Sequence, residues 1–184
     1  QWPEFTASRR TLNRRRFLIA SGAIAVTVGA GALYWPRRWK YIVVHHSAGN
    51  YGTIEFLQEV HRDRQAGDPI DAIPYHYVIG NGNGLGMGQI ASDWRQEVNI
   101  WGTHLSANNM ARNFLGLGIC LIGNLEETEL PLPQFEALVS LTKSLMSRYD
   151  ISAGNVGLHG KIHGESTKCP GKMFPHDRFR AAIE

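Results

Sequence analysis

The 184-residue sequence predicts an α/β fold with a mixed central β-sheet flanked by helices, preceded by a segment that stands apart from it. Three observations predict this. Short apolar, β-rich runs alternate with amphipathic helical stretches, the pattern of sheet strands covered by helices. Hydrophobic residues at 43% and charged residues at 19% are ordinary globular values, which excludes disordered, collagen-like and coiled-coil chains. Two cysteines, Cys120 and Cys169, cannot build a disulfide framework, so an apolar core must hold the fold.

The elements follow in chain order. Asn13-Arg14-Arg15-Arg16-Phe17-Leu18 leads into Phe17 to Trp35, a run of 19 residues without a charged side chain. A cationic start followed by an apolar stretch is the form of an export signal, and two arginines, one further residue and then Phe-Leu resemble a twin-arginine signal. Ala30-Gly31-Ala32 offers a small-residue cleavage site. At about 1.5 Å per residue, however, the run could cross most of a bilayer core of about 30 Å. Cleaved signal and retained membrane anchor both stay open. Residues 1–39 are therefore set apart from a domain at 40–184, and the protein is expected to be exported to the periplasm or cell envelope.

Charge divides the same way. Residues 1–40 carry eight basic side chains against Glu4 alone, while the remainder holds eleven basic and fifteen acidic ones. The body is mildly acidic without a basic stripe, so the overall pI of 9.0 does not indicate nucleic-acid binding.

Tyr41-Ile42-Val43-Val44 reads as a buried strand ending at His45. Ile54, Phe56, Leu57, Val60 and Arg64 give helical spacing, and Gly67-Asp68-Pro69 would stop that helix. Tyr75 to Ile79 reads as a strand. Asn81-Gly82-Asn83-Gly84 would then turn the chain into a hairpin strand at Met87 to Ile90. Leu115 to Ile122 is another buried strand. Pro133 opens a helix with Phe135, Leu138, Val139, Leu141, Leu145 and Tyr149 on its buried face. Val156-Gly157-Leu158 is a short buried strand.

Common site signatures fail. The Gly80–Gly88 region contains no G-x-G-x-x-G register and no G-K-[ST], His45-His46-Ser47-Ala48-Gly49 lacks the first glycine of a nucleophile elbow, and there is no H-E-x-x-H. What remains is a set of histidines at strand ends and loops (His45, His46, His76, His104, His159, His163) together with Cys169. Imidazole and thiolate are preferred zinc ligands, and a catalytic zinc keeps three protein ligands and an open position. Cys120, inside a strand, reads as a core residue.

The blocks Ile42-Val43-Val44-His45-His46-Ser47-Ala48-Gly49, Ile73-Pro74-Tyr75-His76-Tyr77-Val78-Ile79, Trp101-Gly102-Thr103-His104, Gly116–Asn124 and Thr167-Lys168-Cys169-Pro170-Gly171 resemble, in order, those of the zinc-dependent N-acetylmuramoyl-L-alanine amidases. That family includes the peptidoglycan recognition proteins. The resemblance implies their fold, a Zn2+ cofactor, and hydrolysis of the amide between N-acetylmuramic acid and L-alanine by a zinc-activated water. It implies His45, His159 and Cys169 as metal ligands, and Tyr75 and Thr167 as donors to the reacting oxygen, with Lys168 able to share that task. It places His104 on the substrate groove, with His46 as a second substrate contact. The partner implied is peptidoglycan or a muropeptide, met by a monomer, with no nucleic acid and with membrane anchoring through the N-terminal segment open. The alternatives are a peptidoglycan-binding protein without activity, against which Cys169 argues, and another zinc hydrolase acting on a peptide bond. The chain departs from the family in one place: nine residues separate His159 from Cys169 and five separate His163 from it, and the usual interval lies between. His159 is preferred because a strand precedes it. The proton donor to the leaving amine stays open among Glu165, Lys168, His163 and the tyrosine.

Overall fold

The two longest strands arise from the two most continuous apolar runs, Tyr41–His46 (β1) and Gly116–Leu121 (β4), paired in parallel from Tyr41 opposite Gly116 to His46 opposite Leu121. They lie at the centre of the computed structural model, which describes Trp35, residues 38–64 and residues 71–184. The remaining elements are α1 (Ile54–Arg64), β2 (Tyr77–Ile79), β3 (Ile90–Ser92), α2 (Trp94–Glu97), α3 (Met110–Leu115), α4 (Leu132–Tyr149), β5 (Val156–Leu158) and α5 (His176–Ile183). The five strands form one sheet in the order β3-β2-β4-β1-β5. Only β3 runs antiparallel to its neighbour, so the sheet is mixed, as expected.

Side-chain alternation gives this sheet two different faces. Ile42 and Val44 of β1, Leu117, Ile119 and Leu121 of β4, and Tyr77 and Ile79 of β2 join Phe135, Leu138 and Leu145 of α4 and Phe179 and Ile183 of α5 in the main core. Each fully buried Ile or Leu side chain there contributes about 1.5–3 kcal/mol. The other face carries Val78 and Cys120, which pack with Leu57 of α1, Ile73 and Tyr75. It also carries His45. Gln134, buried on α4, donates to the carbonyls of Ile79 and Ile122 and so ties the helix to the ends of β2 and β4.

Several boundaries differ from the sequence reading. Tyr75 and His76 lie outside β2, although the His76 amide still donates to Gly118 of β4. The hairpin partner is Ile90–Ser92 rather than Met87–Ile90, because positive φ at Gly82, Gly84 and Gly88 spreads the turn over a longer loop. The described body, from Arg38 to Glu184, includes Trp39 as a core residue whose Nε1 donates to Asn99 Oδ1. Among the described residues no helix is long and apolar enough to cross a membrane. The arginine-led segment and the Gly67-Asp68-Pro69 stop lie outside the described residues.

Candidate metal centre

β1 ends in His45-His46, and strand alternation sends the two rings in opposite directions. His45 is 1% exposed, and its Nδ1 lies 3.0 Å from Nδ1 of His159 and 3.9 Å from Sγ of Cys169. β5 pairs with β1 up to Leu158 opposite Val44, which delivers His159 in the turn that follows. Cys169 returns beside it: the Gly160 amide donates to the Cys169 carbonyl, and the His46 amide donates to Cys169 Sγ. The ligating atoms of His45, His159 and Cys169 all fall within 4.8 Å of one another. Two imidazole nitrogens and a sulfur so placed suit a tetrahedral ion with ligand distances of about 2.0–2.3 Å, and zinc fits this N,N,S donor set. The structure thus gathers the three residues expected as ligands. His163 is exposed, and its carbonyl accepts from Asn109 Nδ2.

The far nitrogens of both ring ligands have partners. His45 Nε2 lies 3.0 Å from His104 Nδ1, and His104 Nε2 makes a long 3.5 Å contact with the Gly116 carbonyl. A carbonyl can only accept, so His104 carries its proton on Nε2, accepts from His45 Nε2–H, and leaves the His45 Nδ1 lone pair facing the cluster. Burial lowers the His104 pKa to about 3, so the ring is neutral in this role. Burial, reinforced by His104 and His159, also holds His45 well below the usual histidine range. His159 Nε2 lies 3.1 Å from Glu165 Oε2.

This placement corrects two expectations. His104 is 5% exposed and lies beneath His45, not on a groove. It fits there because Gly118 of β4 has no side chain; a Cβ at that position would come within 2.9 Å of the imidazole. His46 is likewise buried on the opposite face, where its Nδ1 accepts from the Leu125 amide and ties β1 to the loop after β4. A ring so buried and engaged departs from the expected substrate contact.

Tyr75 lies beside His45, its ring centroid 5.1 Å from that of the imidazole. Burial, with Cys120 and Cys169 adding to it, raises the phenol pKa well above 10, so the hydroxyl keeps its proton at neutral pH. Burial also pushes the Cys169 thiol up to about 12, and metal coordination would deprotonate it. Thr167 Oγ1 accepts from the Cys169 amide and retains a proton to donate. Lys168 is an exposed neighbour of the cysteine.

Two features escaped the sequence reading. Fully buried Arg95 donates to the carbonyls of Ile73 and Trp101, binding the Tyr75 approach to the His104 approach. Ser106 and Asn109 hold Glu165. No motif marks these residues, because only the fold brings them close.

Comparison with known proteins identifies the family and agrees with the fold. The profile of the N-acetylmuramoyl-L-alanine amidase family matches residues 35–172. Peptidoglycan-recognition protein SC2 of Drosophila melanogaster is 30% identical over 139 residues, covering 71% of this chain and 67% of that protein. Among solved structures, the N-acetylmuramoyl-L-alanine amidase LysC from Clostridium intestinale URNW superposes with a TM-score of 0.65 at 26% identity, covering 81% of this chain and 87% of its own. Peptidoglycan recognition protein SA of Drosophila shares the fold, with a TM-score of 0.54 at 20% identity over 77% of this chain and 78% of its own. The chain therefore belongs to the N-acetylmuramoyl-L-alanine amidase family.

Proposed function

We propose that the protein is a zinc-dependent peptidoglycan amidase that cleaves the bond between N-acetylmuramic acid and L-alanine. The observation that carries this is the convergence of His45 Nδ1, His159 Nδ1 and Cys169 Sγ beside the ring of Tyr75, whose hydroxyl keeps its proton. Zinc, when bound, supplies a Lewis acid and brings the pKa of water down to about 7. The chain's own groups do the rest. Tyr75 donates to the oxygen that gains charge as the amide carbonyl is attacked, with Thr167 as a second donor on the exposed side. Lys168, exposed next to Cys169, His163, exposed in the loop that precedes it, and Tyr75 are the candidate groups for protonating the leaving amine. Glu165, whose carboxylate is already held by Ser106, Asn109 and His159, is withdrawn from that task.

Purified cell walls incubated with the zinc-loaded protein should release fragments with free N-terminal L-alanine, and chelator should stop the release. Retention on the walls without new amino ends would make this a recognition protein. New amino ends at any other residue would make it a different hydrolase.

The arginine-led segment supports export toward this substrate. Replacing Arg14 and Arg15 by Lys should block a twin-arginine route without changing charge. Undiminished export of that variant, followed by cell fractionation, would leave a general signal or an anchor in its place.

A further inference from the structure

We infer that Glu165 is a positioning residue that fixes the tautomer and ring orientation of His159; this rests on His159 being a metal ligand. The side chain of Glu165 is 4% exposed although it sits in the loop between His159 and Cys169. Each of its oxygens is engaged. Oε1 accepts from Ser106 Oγ at 2.8 Å, from Asn109 Nδ2 at 2.7 Å and from the Ser106 amide at 3.2 Å. Oε2 faces His159 Nε2 at 3.1 Å and the Ser106 amide at 3.3 Å. The donors come from a segment more than fifty residues earlier in the chain, and Asn109 also donates to the His163 carbonyl. The loop is thus fastened to the 106–109 turn on both sides of Gly164, whose φ of +87° suits glycine.

An ionised carboxylate only accepts hydrogen bonds. With three donors already fixing where its oxygens lie, it can receive His159 only through an Nε2–H. The proton on Nε2 leaves Nδ1 unprotonated, and Nδ1 is the atom that lies 3.0 Å from His45 Nδ1. Outer-shell carboxylates of this kind orient a ligating imidazole and raise its basicity, and their loss typically costs about 10–100-fold in metal affinity.

Glu165→Gln keeps the shape and breaks the logic. Its amide nitrogen must either face the Ser106 and Asn109 donors or turn toward His159, where an N–H favours the tautomer with its proton on Nδ1. Two readouts on the full chain test this. Zinc affinity is measured by chelator competition, with the cobalt-substituted absorption spectrum as a geometric check. The His159 tautomer is read from imidazole nitrogen shifts in metal-free protein. The expected result is an Nε2–H tautomer in the wild type that is lost or mixed in Glu165→Gln, zinc affinity lower by about 10–100-fold, an altered cobalt spectrum and an unchanged circular dichroism spectrum. Ser106→Ala, which leaves the carboxylate in place, should weaken zinc less. Equal zinc affinity and an identical cobalt spectrum in wild type and Glu165→Gln would overturn the inference and reduce Glu165 to a loop fastener. If the wild type takes up no zinc, the metal centre itself fails, and the tautomer alone decides: loss of Nε2–H in the variant upholds the positioning role, and no change removes it. If Glu165→Gln unfolds, the Ser106→Ala pair of measurements decides in the same way.

Discussion

The metal centre has two walls of different construction. One is His45, at the end of a central strand, 1% exposed and backed by a neutral imidazole on a floor of glycines. The other is the loop from His159 to Cys169, in which five of the residues between the two ligands are exposed polar side chains and a carboxylate stands behind the histidine. The strand wall is held by sheet register and burial, so its geometry is a by-product of the core. The loop wall has one buried apolar anchor, Ile162 against Val43 and Leu105, and is otherwise held by hydrogen bonds, which can be exchanged one at a time. Rigid placement of one ligand thus comes from packing, and that of the other from a polar clamp.

The largest expected effect tests which residues form the loop wall. His159→Ala should abolish stoichiometric zinc, whereas His163→Ala, a change at an exposed ring, should retain it. Elemental analysis after gel filtration distinguishes them, and the reverse pattern would move the ligand role to His163 and dissolve the comparison as drawn.

Next in size is Tyr75→Phe, which touches neither wall's ligands. Turnover on muropeptide should fall by about 100-fold to 1,000-fold with zinc content intact. A wild-type rate would make Tyr75 a packing residue.

His104→Phe probes the strand wall, because it preserves bulk and deletes the acceptor for His45. Zinc affinity should drop by about 10–100-fold. An unchanged affinity would mean that strand register alone orients His45, sharpening the contrast between the walls.

The smallest effect is a pH dependence on the strand side. His76 is fully buried, its Nδ1 accepting from the Gly118 amide and its Nε2–H donating to the Ile100 carbonyl. Burial, with His104, Arg95 and Arg38 nearby, pushes its pKa well below the ordinary value of 6.5. The folded state therefore keeps His76 neutral while the unfolded chain takes up a proton below about pH 6.5. Stability from this group is present above that pH and is lost on acidification, by up to about 1.4 kcal/mol per pH unit. His76→Gln, which can serve the same two backbone partners, should reduce the acid slope of unfolding midpoints in metal-free protein. An identical slope would show that other groups carry it.

Much of the strand wall was legible in the sequence. An apolar β-rich run ending in His-His marks the strand, and period-2 alternation lets only one of the two histidines face the cluster; the family resemblance implied that it is His45. The loop wall was half legible. Thr-Lys-Cys-Pro-Gly marks Cys169, but the spacing to it fits neither His159 nor His163, and only the pairing of β5 with β1 places His159 against His45 while leaving His163 exposed.

What the sequence determined by itself is what local pattern and residue chemistry control: the α/β class, α1 and α4, the central strands, the soft N,N,S donor set, and a cationic, apolar leader distinct from an acidic body. The tertiary structure decided the rest. Whether a histidine is a ligand, a support or a strap depends on what lies behind its ring, and that is set by contacts between residues far apart in the chain. His104 became a support because Gly118 opened space beneath His45, and His46 became a strap because Leu125 offered its amide. Glu165, one of four candidates in the sequence for carrying a proton to the leaving amine, was fixed behind His159 by Ser106 and Asn109, residues that carry no signature of their own. A hydrogen bond needs a partner within about 3 Å, and only the folded chain sets which distant residues come that close.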